Sequence, residues 1–103
     1  MYFFVLCLNN KNRLQGYNLV SIGTVSECIV HPREIFQPAL LTNATSIIIV
    51  HNHPSECLDP SREDMVVTKI INEASKIIGI PLLDHIIYSD IGFYSMKENG
   101  HFD

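Results

Sequence analysis

At 103 residues, 47% of them hydrophobic and 17% charged, the chain has the size and composition of one globular domain, which excludes a disordered segment. The formal net charge of −4 argues against a general electrostatic grip on nucleic acid, and the seven basic residues, Lys11, Arg13, Arg33, Arg62, Lys69, Lys76 and Lys97, are scattered. No apolar run approaches the ~20 residues a membrane helix needs, and the apolar opening lacks the basic start and small-residue cleavage site of a secretion signal.

Residues 2–8 are aromatic and aliphatic throughout and read as a strand buried on both faces. The polar stretch 9–13 makes a hairpin turn, and 14–23 is the return strand, with Gly16 placed for a bulge. A short third strand over 25–30 completes a meander, which short connections make antiparallel. His31-Pro32-Arg33-Glu34 opens a helix: proline suits the first helical position, and Glu34 puts negative charge in the first turn. Ile35, Phe36, Ala39 and Leu40 form its apolar face, Pro38 removes one backbone bond, and Asn43 is the stop.

The β-branched run 45–50 reads as a central strand and feeds straight into His51. Ser61 starts a second helix, in which Val67, Ile70, Ile71, Ala74, Ile77 and Ile78 recur at helical spacing before Gly79 ends it and Pro81 confirms the stop. Residues 82–88 form the next strand, 89–92 a turn and 93–96 a last short strand, while the polar tail 97–103 is expected to fray. The order βββαβαββ gives an α/β (α+β) fold with a mixed sheet and helices packed on it.

Three cysteines, Cys7, Cys28 and Cys57, are an odd number without a paired motif, which fits a reducing cytoplasm better than a disulfide framework. Cys7 and Cys28 lie in apolar runs and read as small buried hydrophobes, and Cys57 as a loop residue.

The chemistry concentrates in residues 51–64, HNHPSECLDPSRED. His51 and His53 are two apart, so an extended backbone puts both rings on one face, and a purely aliphatic strand gives them no packing reason to be there. Ten residues separate His53 from Asp64, enough for a loop that brings a carboxylate back to the imidazoles. Two imidazoles and one carboxylate are a common ligand set for a catalytic zinc, which keeps its fourth position for water. Ser61 and Asp64 also stand as N-cap and third helical residue, a capping pattern that coexists with ligation. Asn52 points to the opposite side and ties the turn down. His85, a polar residue in an apolar strand, reads as buried and hydrogen-bonded near the site, with Asp84 on the opposite face.

His51-x-His53 followed after seven residues by Ser61-x-x-Asp64 resembles the JAMM motif of MPN-type zinc metalloproteases. With VHPRE (30–34), ALLTNA (39–44), HNHPS (51–55), PSRED (60–64) and LLDHII (82–87), nearly the whole chain resembles the RadC family, a bacterial group labelled as DNA repair proteins. The resemblance implies a three-layer JAB/MPN fold related to cytidine deaminases, with one Zn2+ held by His51, His53 and Asp64. It implies peptide or isopeptide hydrolysis by zinc-activated water, with Ser61 helping to hold that water or the developing oxyanion. In such enzymes a glutamate at the first strand is the general base; aligning on FFVLCLN (3–9) puts Met1 there. Glu34, within the matching HPRE segment, is the remaining candidate acid; Glu56 reads as a loop residue and Glu27 as an exposed strand residue.

The expectation is therefore a single domain over 1–103, lacking an N-terminal region of a longer parent and with it any helix-hairpin-helix contact to DNA. The partners expected are a protein or peptide substrate, no membrane, and at most a weak homodimer. The alternative is a catalytically inactive metal-binding interaction module associated with DNA repair or mobile-element functions. A zinc deaminase needs His-x-Glu and a Pro-Cys-x-x-Cys pair, and the chain has neither.

Overall fold

Aliphatic and β-branched residues concentrate in the segments that pair, and polar or Gly- and Pro-bearing stretches in those that turn. A computed structural model describes residues 2–22, 30–53 and 58–102. Its elements are β1 (Tyr2–Leu8), β2 (Leu14–Ile22), α1 (Pro32–Leu41), β3 (Ser46–Asn52), α2 (Arg62–Ile78), β4 (Leu82–Ser89) and β5 (Gly92–Ser95). The strands form one five-stranded sheet in the order β2-β1-β3-β4-β5. β1 pairs antiparallel with β2 and β3, β3 runs parallel to β4, and β5 returns antiparallel to β4. The mixed sheet read from the sequence is what the structure shows. Of the expected third strand over 25–30, residues 25–29, Glu27 and Cys28 included, lie outside the described ones.

Strand alternation decides which face is the core. Phe3, Val5 and Cys7 on β1 pair with His51, Ile49 and Ile47 on β3, and all six are buried. α1 covers this face with Ile35, Phe36 and Ala39, and α2 adds Ile71 to the same cluster. Phe4 and Leu6, pointing the other way, are only half-buried. The expectation of a first strand buried on both faces is thus corrected, because both described helices pack on one side. Of the three expected layers, the described residues supply the sheet and one layer of helices.

The second helix corrects the sequence reading. Its buried residues are Asp64, Thr68, Ile71 and Ser75, whereas Ile77 is 88% exposed and Ile70 and Ile78 are also exposed. The helix is rotated away from its most aliphatic stripe, which turns Asp64 and Thr68 inward. Gly79 closes it at φ 84°, a left-handed value that favours glycine. In α1, Pro38 is accommodated one turn before the end, where its carbonyl accepts from the Thr42 backbone N–H at 3.1 Å and from its hydroxyl at 2.9 Å.

The tail, expected to fray, is tied down. His101 donates its backbone N–H to the Met96 carbonyl at 3.0 Å, its ring meets the Tyr94 hydroxyl at 2.7 Å, and Phe102 packs against the core. Among the described residues no helix is long and apolar enough to cross a membrane.

Ile49 is fully buried on β3, two residues before His51 on the same face. Ile49→Ala is expected to lower the unfolding free energy by about 2–5 kcal/mol through the cavity it leaves, read from the urea midpoint.

Candidate metal centre

β3 delivers His51 and β4 delivers His85 to one spot beneath the start of α2. An irregularity in the β3–β4 register brings His85 there: Ile47 pairs with Leu82, but Ile48 pairs with Asp84, so Leu83 is passed over. Strict alternation from the buried Leu82 would have sent Asp84 inward. Instead His85 joins Ile49 and His51 on the core face, fully buried, and Asp84 goes to the other side. There the Asp84 carboxylate accepts from the Ser95 hydroxyl at 2.5 Å and from the backbone N–H groups of His85 and Lys97 at 2.7 and 3.1 Å. Asn52 also points away from the site, and its side-chain oxygen accepts from the Tyr2 backbone N–H at 2.6 Å, fastening the end of β3 to the start of β1.

α2 brings the carboxylate. Ser61 is its N-cap: the Ser61 hydroxyl oxygen accepts from the Asp64 backbone N–H at 3.1 Å, and the Ser61 backbone N–H donates to Asp64 Oδ2 at 2.8 Å. This capping box holds Asp64 in one orientation. His51 Nε2 lies 2.9 Å from Asp64 Oδ1, and His53 Nε2 lies 3.0 Å from Oδ2. The cap and the imidazoles therefore share one carboxylate, as the sequence pattern allows.

Burial pushes the Asp64 carboxyl up, but the His51 ring, with the Ser61 backbone N–H and side chain, outweighs this and holds it well below the ordinary carboxylate range. The N-terminus of α2 favours the same ionised form.

The donor atoms of His51, His53 and Asp64 all lie within 4.8 Å of one another. Donors around a tetrahedral zinc stand about 3.3 Å apart, so the group needs little adjustment to hold an ion. His51 Nε2 supplies an independent test of fit. It is buried, and among the described residues the group it faces is the Asp64 carboxylate, 2.9 Å away. A buried imidazole nitrogen beside a carboxylate is satisfied by a proton shared between them or by a cation held between them. The group is thus one that can bind a metal ion.

A second rank of groups stands behind His51. His85 Nε2 is 2.8 Å from His51 Nδ1, and His85 Nδ1 is 2.5 Å from the Thr68 hydroxyl, which donates to the Asp64 carbonyl at 2.7 Å. Phe3 stacks on His51 with ring centroids 5.5 Å apart and meets His85 edge-on. Burial and the neighbouring His51 ring lower the His85 pKa from 6.5 to about 3, with Asp64 opposing and His53 assisting. Thr68 was not singled out in the sequence, although it stands one helical turn after Asp64. That spacing is the signal that could have found it.

The structure brings together four of the residues singled out as site residues, His51, His53, Ser61 and Asp64. Glu34 is elsewhere: it lies in the first turn of α1 along a surface groove with Asn18, Val20, Gln37 and Leu41. Glu56 and Cys57 fall outside the described residues. Cys7 is a free thiol deep in the core.

Ser61→Ala is expected to cost about 1 kcal/mol of stability by opening the capping box, measured by urea unfolding of metal-free protein. His85 gives a pH dependence. Its folded pKa lies below its unfolded value, so the stability it contributes is present above 6.5 and is lost as pH falls toward about 3. Metal-free wild type should therefore lose stability more steeply than His85→Leu across this window, by up to about 1.4 kcal/mol per pH unit. Urea titrations at stepped pH measure the difference; equal slopes would refute it.

Comparison with known proteins agrees with this geometry. Residues 2–101 match the family model of the RadC-like JAB domain. A UPF0758 protein of Staphylococcus carnosus is 46% identical over 101 residues, covering 98% of this chain and 45% of the relative. UPF0758 proteins of Rubrobacter xylanophilus and Desulforamulus reducens are 48% and 50% identical over 99 residues each, covering 96% of this chain and 43% and 44% of theirs. The chain thus spans under half the length of these relatives. With its sequence matched almost end to end and its histidine–carboxylate group assembled as above, the chain belongs to the RadC-like JAB domain family.

Proposed function

We propose that the chain is a zinc-dependent hydrolase domain of the JAMM type that cleaves peptide or isopeptide bonds. The observation that carries this reading is the convergence of His51 Nε2, His53 Nε2 and the Asp64 carboxylate, with the two nitrogens 2.9 and 3.0 Å from its oxygens. Two neutral nitrogens and one carboxylate are the donor set of catalytic zinc sites that keep a position open. When bound, zinc supplies a Lewis acid that brings the pKa of a coordinated water close to neutrality.

The chain's own residues divide the remaining work. Asp64, held ionised by the helix start and the cap, supplies the negative charge that retains the ion. His51 is fixed from behind, while His53, with its side chain 11% exposed, stands at the solvent side. Ser61, at the mouth of α2, presents a hydroxyl beside the carboxylate, suited to steadying an oxyanion. Glu34 stands on α1 beside β2, apart from the donor group, so Glu34→Gln is expected to leave hydrolysis unchanged. The reading places the reaction in a reducing cytoplasm, which the free thiol of Cys7 supports.

Elemental analysis after reloading with zinc and desalting should find one zinc ion per chain, and only background in His51→Ala and Asp64→Asn. A wild type that takes no metal sinks the reading. Hydrolysis is assayed with peptide and isopeptide-linked substrates in wild type and in Met1→Glu preceded by an added initiator methionine. Turnover that His51→Ala abolishes supports the enzyme; zinc without turnover in either protein supports the interaction module.

A further inference from the structure

We propose that His85, anchored by Thr68, is a positioning residue that keeps His51 protonated at Nδ1, so that Nε2, beside Asp64, is the nitrogen left to bind a metal ion. The inference rests on the metal reading above and goes further, because it assigns a task to two side chains that do not touch the ion.

The Thr68 hydroxyl has one proton to give. It lies 2.7 Å from the Asp64 carbonyl one turn earlier, a group that can only accept. Its other close neighbour, Met96 Sδ at 3.4 Å, is also an acceptor. The proton therefore goes to the carbonyl, and the 2.5 Å contact with His85 Nδ1 requires that nitrogen to donate to the hydroxyl oxygen. A neutral imidazole carries one N–H, so His85 Nε2 is left as an acceptor. His51 Nδ1, 2.8 Å away, must then be the protonated partner. With Nδ1 protonated, neutral His51 has its lone pair at Nε2, the buried atom beside the Asp64 carboxylate.

The reverse order fails at its first link. It would require Thr68 to turn its proton toward His85, leaving two oxygens 2.7 Å apart with no proton between them. Packing holds the rings in place as well as in protonation. Phe3 lies parallel to His51 within 5° and touches His85 edge-on, and both histidines are fully buried. A ligating imidazole whose other nitrogen is fixed in this way is held in the correct tautomer and angle before the ion arrives.

The first measurement needs no substitution. Long-range proton–nitrogen correlation spectra of the zinc-loaded wild-type chain should show protonated Nδ1 in both His51 and His85 and an unprotonated Nε2 in His85. A proton on His85 Nε2 overturns the proposal. The same His85 pattern is expected in the metal-free chain at neutral pH, so the test survives if no zinc binds; that outcome would sink the metal reading alone.

The second measurement is zinc affinity by chelator competition. His85→Leu, which fills the space and removes the acceptor, should weaken binding roughly 10–100-fold. His85→Gln, which returns an acceptor oxygen, should recover at least half of that loss on a logarithmic scale. Affinity in His85→Leu within about twofold of wild type, or equal weakness in both variants, overturns the assignment. If His85→Leu fails to fold, the ring-nitrogen pattern of the wild type decides.

Discussion

One carboxylate fixes the arrangement of the whole site. Asp64 closes the capping box with Ser61 and in the same orientation faces His51 and His53. A helix start is thereby fastened to the end of the central strand by charge as well as by packing. The rotation of α2 follows from this: with Asp64 turned inward, Thr68 one turn later must also point inward, and Ile77 must point out. The helix gives up part of its aliphatic stripe to solvent, a loss of apolar burial at about 25 cal/mol per Å2. The polar group it places in the core offsets that loss only when every member is satisfied.

That condition explains the second rank of groups. His51 and His85 are buried among Phe3, Ile49 and Met96, where unpaired polar atoms are costly. His85 satisfies His51 Nδ1, Thr68 satisfies His85 Nδ1, and the Asp64 carbonyl satisfies Thr68. Among the described residues, the chain of hydrogen bonds ends at His51 Nε2, which faces the Asp64 carboxylate 2.9 Å away. The network thus ends on the group that can hold a metal ion.

The sequence made the donors legible because their signals are local. His51-x-His53 at the end of an aliphatic run, and Ser61-x-x-Asp64 at a helix start, each announce themselves within four residues. The positions of β3, α2 and β4 were legible for the same reason, through the β-branched run 45–50, Gly79 and Pro81. What could not be read is tertiary. His85 reads as buried near the site from the sequence, as it is, but the passage over Leu83 that turns it inward depends on pairing with β3, and the inward face of α2 on where Asp64 is held. His101 is a tail residue by sequence, yet it is tied to Met96 and Tyr94 by a turn that no local propensity marks. Periodicity favoured Ile70 and Ile77 on α2 because it counts apolar residues and cannot weigh a buried polar group.

The location of the donors also bears on what they can do. β3 and β4 run parallel, and α2 crosses from one to the other, so the donors gather where β3 ends and α2 begins. Open α/β sheets place ligands at the carboxyl ends of their strands, where loops diverge and leave space. A helix N-terminus there adds partial positive charge, which keeps a carboxylate ionised. Two neutral imidazoles and one carboxylate carry a single negative charge, so a divalent ion among them would keep a net positive charge to act as a Lewis acid. Sealed structural sites commonly use thiolates, which quench that charge. Among the described residues the donor group contains none, and Cys7 lies in the core outside it. Charge and position thus both fit a group that can hold a divalent ion at the carboxyl end of β3.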